Sequence, residues 1–234
     1  MCGRFSLNKT GDDLTDAFLL QSTPPVMPRF NIAPSQLVAT VVATVEDPKP
    51  YFDFRLWGLI PSWAKDPTIG SRMINARAET VVEKPSFRAA FKRRRCLILA
   101  DGFYEWEAIS GHKTKQPHYI FLKDHAPFAF AGLWEHWSDP TGGGELQTCT
   151  ILTTTPNQLM EPIHTRMPVI LAPEDYGAWL DPDYYQPQVL QEMLRPYDDG
   201  AMDRYPVSTL VNKPQNDSPD CIEPLALSAD LAES

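Results

Sequence analysis

Short runs of apolar and β-branched residues, separated by Gly, Pro and Asp, recur along this chain, and only four stretches carry a helical pattern. Leu37–Val45 predicts a strand, and Tyr51–Leu59 a second one that ends at Gly58. Cys96–Ala100 is a continuous apolar strand stopped by Asp101-Gly102, after which Phe103–Glu107 stays extended. Tyr119–Lys123, Phe128–Trp137, Gln147–Thr154 and Met167–Leu171 read as further strands, with Gly142-Gly143-Gly144 turning the chain before Gln147. The helical stretches are short. One starts near Thr10 with Asp12 and Asp13 in its first turn and Leu14, Ala17 and Phe18 as its apolar face. The others are Pro85–Arg94, with Phe87, Ala90 and Phe91 on one side, Pro173–Leu180, and Gln188–Leu194 before Pro196. Residues 22–36 and Pro61–Gly70 read as loops, and Cys221–Leu225 as one packed strand in an acidic tail. Many closely spaced strands with a few peripheral helices predict an α+β fold around a curved, barrel-like antiparallel core. The expected division is one domain over 1–215 and an acidic, partly packed tail over 216–234.

Composition narrows the class. The chain has 234 residues, 43% of them hydrophobic, which suffices for one domain with a real core. No apolar run approaches the roughly 20 residues of a membrane span. Arg4, Lys9, Asp12, Asp13 and Asp16 interrupt any signal-peptide core. A soluble, cytoplasmic monomer is expected. The four cysteines lack CxxC spacing, and the histidines lack ligand spacing, so neither metal nor cofactor is expected.

Charge changes the picture in one respect. The formal net charge is −9, but residues 1–117 carry 16 Lys and Arg against 12 Asp and Glu. Arg72, Arg77, Lys84, Arg88, Lys92, Arg93, Arg94 and Arg95 fall in one stretch opposed only by Glu79 and Glu83. This stretch is either a basic groove or, for Lys92 to Arg94, a solvated helix face.

Candidate chemistry starts at the second residue. In Met1-Cys2-Gly3-Arg4-Phe5, removal of Met1 leaves Cys2 with an α-amine and a thiol on one residue. Their ordinary pKa values lie near ~8 and ~8.5, so both have nucleophilic forms near neutrality. A 1,2-aminothiol condenses with an aldehyde and closes a five-membered thiazolidine, the second step being intramolecular. It also serves as a thiol nucleophile with its own amine as base. Taken alone, Cys2 is equally a small buried hydrophobe.

In Ile74-Asn75-Ala76-Arg77-Ala78-Glu79 an extended run puts Asn75, Arg77 and Glu79 on one side. That is an orienting amide and a phosphate fork, or a surface strand with an ion pair. Glu105, between Tyr104 and Trp106, is either a poorly solvated carboxylate suited to proton transfer or an exposed Glu on an alternating strand. His164 and Arg166 lie at a loop-to-strand junction, as a general acid or base and a phosphate ligand, or as structural residues. Trp57 reads as core, and Trp63 and Pro34 as exposed.

The blocks MCGRF (1–5), RFNIAPSQ (29–36), WGLIPSW (57–63), INARAET (74–80), ADGFYEW (100–106) and HTRMP (164–168), in this order, resemble the SRAP family, also called abasic-site processing proteins. The resemblance covers the chain to about residue 215. It implies a channel for single-stranded DNA and covalent capture of abasic sites by mature Cys2 as a thiazolidine. Asn75 would orient Cys2 and the sugar. Glu105 would handle protons at the Cys2 amine and serve in Met1 removal or release. His164 would protonate the sugar oxygen to favour the open aldehyde. Arg4, Arg77 and Arg166 would hold phosphates, Pro34 and Trp63 would shape the channel, and Trp106 belongs with the DNA-contacting set. The implied partner is single-stranded DNA carrying abasic sites, with self-processing peptidase activity as a companion. The alternatives are an N-terminal-nucleophile cysteine amidohydrolase or peptidase, and a non-catalytic single-strand binder. For an amidotransferase, Gly-His-Asn-Gly and Ser-Asp-x-Glu runs are lacking.

Overall fold

A computed structural model describes residues 2–18, 20–111 and 114–225. Met1, His112 and the end of the predicted tail beyond Leu225 therefore lie outside the described residues. The chain runs β1 (Phe5–Leu7), α1 (Gly11–Phe18), β2 (Arg29–Ile32), β3 (Leu37–Val42), β4 (Tyr51–Trp57), β5 (Asn75–Arg77), α2 (Arg88–Arg93) and β6 (Arg95–Ala100). It continues with β7 (Gly102–Glu107), β8 (Gln116–Leu122), β9 (Phe128–Ser138), β10 (Glu145–Thr154), β11 (Met167–Pro168), α3 (Tyr176–Leu180), α4 (Pro187–Glu192) and β12 (Met202–Pro206).

The core is a closed ring of five strands. β4 pairs with β3, β3 with β6, β6 with β9 and β9 with β10, all antiparallel. The ring shuts where β10 meets β4 in parallel, with Cys149 opposite Trp57. Beyond that seam β10 runs on and takes β5 in parallel and β11 antiparallel. A second, antiparallel sheet has the order β12-β8-β7-β1-β2. The α+β, barrel-like expectation holds, and the parallel seam is an addition no periodicity announces, because β4, β5 and β10 meet only through distant chain.

Phe5 joins the two sheets. Its ring is buried edge-on against Trp57 at 5.2 Å and Phe130 at 5.6 Å. A buried Phe contributes about 1.5–3 kcal/mol, so the residues just after Cys2 are anchored in the core. α1 starts as predicted, through a reciprocal cap in which Asp13 N–H donates to Thr10 Oγ1 and Thr10 N–H to Asp13 Oδ2. Leu14 and Phe18 face the core, while Ala17 is exposed.

Several expectations need correction. The Pro-rich stretch 22–36 contains β2, whose outer edge is capped by a side chain: Phe30 and Asn31 N–H groups donate to Asp217 Oδ1 at 2.6 and 2.9 Å. Pro61–Gly70 overlaps a 3-10 turn at Pro67–Arg72, with Asp66 accepting from Thr68 N–H. The extended run from Asn75 ends at Arg77, so Glu79 sits in a 3-10 turn and not on the strand. β12 was not foreseen. In the segment 221–225 only one bridge forms, Pro224 against Val207, after a 3-10 turn at Pro219–Cys221.

Gly58 and Gly70 fix the loop carrying Trp63. Gly58 has φ +136°, and a Cβ there would lie 2.8 Å from Gly70 O. A Cβ on Gly70 would lie 2.7 Å from Gly58 O, so this crossing admits only glycines.

Candidate functional site

The predicted chemistry gathers where the two sheets meet. Cys2 precedes β1, and β1 lies beside β7, with Phe5 opposite Phe103. Tyr104 N–H donates to Arg4 O at 3.0 Å, which brings the start of the chain against the strand carrying Glu105. β5 belongs to the other sheet, and Asn75 reaches across: its Nδ2 donates to Cys2 O at 2.8 Å. Asn75 Oδ1 is buried and accepts no hydrogen bond from the described residues. It is an acceptor in place for a donor.

Cys2 is 0% exposed and Glu105 3% exposed. The exposed-Glu reading of Glu105 therefore falls. Burial pushes the Cys2 thiol well above its ordinary range, and the Glu105 carboxylate pushes it the same way, which places the two groups within electrostatic reach. Burial likewise raises the Glu105 carboxyl, and Lys115 offsets part of the rise. The site therefore holds a neutral thiol beside a carboxylate of enhanced basicity.

His164 lies before β11, half-buried. Arg166 N–H donates to its Nδ1 at 3.0 Å. That bond selects the tautomer with the proton on Nε2, so the neutral ring presents a donor. Burial lowers the His164 pKa, and the charges of Lys115 and Arg166 lower it further. Lys115 thus acts on both Glu105 and His164. Sequence reasoning missed it, since an exposed lysine in a polar turn carries no signal of its own.

The arginines divide. Arg166 is committed to Glu79 in a fork, with NH1 to Oε1 at 2.6 Å and NH2 to Oε2 at 3.0 Å, and NH2 also donates to Thr153 O. Arg4 donates through NH1 to Asn31 Oδ1 at 2.7 Å and Val211 O at 2.5 Å, and lies 5.9 Å over the Trp106 ring. Trp106 Nε1 donates to Asn212 Oδ1 at 2.7 Å. Arg77 is exposed on β5, beside Asn75 in sequence parity. Trp63 is 60% exposed and walls an open cavity of about 430 Å³ with Lys65 and Arg72. Pro34 is half-buried and not exposed, and Trp57 is core, its Nε1 donating to Ile74 O.

The basic stretch is also divided. Arg95 is buried, and its guanidinium donates to the carbonyls of Trp179, Phe91, Lys92, Asp181 and Tyr184. It is a structural cation, its pKa lowered by burial to about 10. Arg94 pairs with buried Glu135 at 2.5 Å. Arg88, Lys92 and Arg93 form the solvated face of α2. Among the described residues no three His, Cys, Asp or Glu side chains converge as metal ligands, and no helix is long and apolar enough to cross a membrane.

Comparison with known proteins gives a consistent result. The family model described as SOS response associated peptidase (SRAP) matches residues 1–214. A Bacillus subtilis protein named abasic site processing protein YoqW is 50% identical over 95% of this chain and 99% of its own length. The Gallus gallus abasic site processing protein HMCES is 36% identical over 73% of this chain and 56% of its own. A crystal structure of a Bacteroides thetaiotaomicron protein superposes with a TM-score of 0.85 at 27% identity, covering 96% of this chain and all of the other.

Proposed function

The chain belongs to the SRAP family, and from that premise we propose that it captures abasic sites in single-stranded DNA through Cys2 once Met1 is removed. The observation that carries the reading is the junction at Cys2: a buried residue next to the chain start, held by Asn75 from one sheet and facing Glu105 from the other.

The chemistry follows from the protonation states. Glu105, a stronger base than an exposed carboxylate, takes a proton from the Cys2 ammonium. The free amine adds to the aldehyde carbon of the ring-opened sugar, and loss of one water gives the imine. The thiol then adds to the imine carbon, its proton passing to nitrogen, and the five-membered ring closes. The product masks the aldehyde, so strand cleavage by β-elimination has no starting point. A thiol kept neutral by burial suits this order, because the amine attacks first. It is poorly suited to opening attack on an amide, which needs the thiolate. That weighs against amidohydrolase or general peptidase activity.

His164 offers Nε2–H to the sugar ring oxygen and so favours the open aldehyde, while Asn75 Oδ1 accepts from a sugar hydroxyl or the Cys2 amine. Arg77, Lys115 and Arg4 attract flanking phosphates, and Trp63 and Pro34 line the strand's path. With few phosphates neutralised, affinity is modest and falls with salt by a slope of roughly −0.7 per contact.

The test is a denaturing gel. Met1-processed protein is mixed with a single-stranded oligonucleotide bearing one abasic site and boiled in detergent. A shifted band that is lost in Cys2→Ala supports capture. Its absence from protein shown by mass spectrometry to lack Met1 refutes it.

A further inference from the structure

The block Arg29–Gln36 carries resemblance, yet only Pro34 has been given a task. Its polar residues build a network beside the site. Asn31 is fully buried. Its Oδ1 accepts from Arg4 NH1 at 2.7 Å, and its Nδ2 donates to the carbonyls of Val211 at 3.2 Å, Lys213 at 3.1 Å and Asn216 at 2.6 Å. Asp217 accepts from the Phe30 and Asn31 N–H groups and from Arg29 Nε. Arg29 NH2 then donates to Gln36 Oε1 at 2.8 Å, and the same oxygen accepts from Ala33 N–H at 3.0 Å, which spans Pro34.

We propose that Asn31 and Asp217 are positioning residues for DNA capture, fastening residues 211–217 along the outer edge of β2 and thereby holding both Arg4 and the Pro34 turn in place. This rests on the function proposed above. Arg4 Nε is buried with no partner among the described residues, so the hydrogen bonds that aim the guanidinium are those of NH1, beside its contact with the Trp106 ring. Both NH1 acceptors belong to the network: one is Asn31, the other the Val211 carbonyl that Asn31 also holds. The Asn212 amide that fixes Trp106 is the next residue. One side chain thus sets Arg4 and, through the neighbouring residue 212, Trp106, while the Arg29–Gln36 relay sets the Pro34 turn. It also makes residues 211–217 part of the working domain, across the boundary expected at 215.

The experiment measures single-turnover cross-linking of an abasic single-stranded oligonucleotide against protein concentration. It uses the full chain, Asn31→Ala, Asp217→Ala and Asp217→Asn, each alone and combined with Arg4→Ala. The expected result is a half-saturating concentration raised about tenfold in Asn31→Ala, with the maximal rate constant within about twofold of wild type. In the Arg4→Ala background the Asn31→Ala effect shrinks to about threefold, because Arg4 is gone and only Trp106 is left for it to set. Asp217→Asn, which keeps an acceptor oxygen for the two N–H groups, recovers more than half of the Asp217→Ala defect. Effects that multiply in the double variants, or an unchanged half-saturating concentration, overturn the proposal. Should Asn31→Ala fail to melt cooperatively, the Asp217 pair with Arg4→Ala decides by the same criteria. A wild-type protein that captures no strand refutes the functional reading itself, and is told apart because no variant comparison is then needed.

Discussion

Asn75 hydrogen-bonds Cys2 across the two sheets, and its replacement reports directly on how much the site depends on that bond. Asn75→Ala deletes the Nδ2 donor lying 2.8 Å from Cys2 O. A neutral hydrogen bond contributes a net ~1 kcal/mol, and each 1.36 kcal/mol of lost transition-state stabilisation is a factor of about ten in rate. The expected loss in capture rate is therefore about fivefold, with little change in folding stability. Asn75→Asp keeps the shape but turns the donor into an anionic acceptor facing a carbonyl. It loses the same bond and adds repulsion, so the expected loss is about a hundredfold near neutral pH, or ~2.7 kcal/mol. Lowering the pH protonates that carboxyl, restores a donor, and brings Asn75→Asp back toward Asn75→Ala. The assay is single-turnover cross-linking with protein in excess, sampled over time on denaturing gels at several pH values. The reasoning is refuted if Asn75→Ala stays within about twofold of wild type, or if Asn75→Asp outpaces Asn75→Ala at neutral pH.

Three further outcomes are expected. Burial raises the Glu105 pKa in the folded state, so folding stability is intact below the unfolded value of about 4.3 and is lost as pH rises through the folded one. Glu105→Gln should then melt with wild type at pH near 4 and above it at pH near 8, and an equal difference at both would sink the assignment. Glu79→Gln releases the Arg166 fork. Fluorescence anisotropy should show tighter binding of single-stranded DNA and a steeper salt dependence, with melting nearly unchanged because a partly exposed pair contributes only ~0.2–1 kcal/mol; weaker binding would show that the pair, and not the free arginine, is what DNA needs. Gly58→Ala forces a Cβ against Gly70 O at a φ of +136°, and chemical denaturation should register a loss of about 1–3 kcal/mol, whereas a neutral result would mean the crossing relaxes freely.

What could be read from the sequence divides along a physical line. β6 of the ring was legible because both of its faces are buried, which leaves the continuous apolar run Cys96–Ala100 bounded by turn residues. β2 was not, because its edge is satisfied by the Asp217 carboxylate and not by a neighbouring strand, and prolines on either side read as loop. Cys2, Asn75, Glu105 and His164 could be singled out only with structural readings left open beside them, their roles came from the resemblance of the blocks around them, and the structure brings Cys2 together with Asn75 and Glu105. Their partners were not legible. Arg95 and exposed Arg93 are neighbours of one type in one run, and only the carbonyls around Arg95 tell them apart. Asn31 likewise looks like any turn asparagine until residues 211–217 come back to meet it.

The burial of Cys2 also imposes an order in time. Its seat is assembled from Asn75, whose strand pairs with β10 at Ile151, and from the strand that carries Glu105, so it does not exist until most of the chain has left the ribosome. At a synthesis rate of about 5–20 residues per second, that delay is roughly ten to thirty seconds. Throughout it the first residues are open to a processing aminopeptidase; afterwards Cys2 itself is 0% exposed. An external enzyme that must reach the bond before Cys2 therefore works against a clock set by folding.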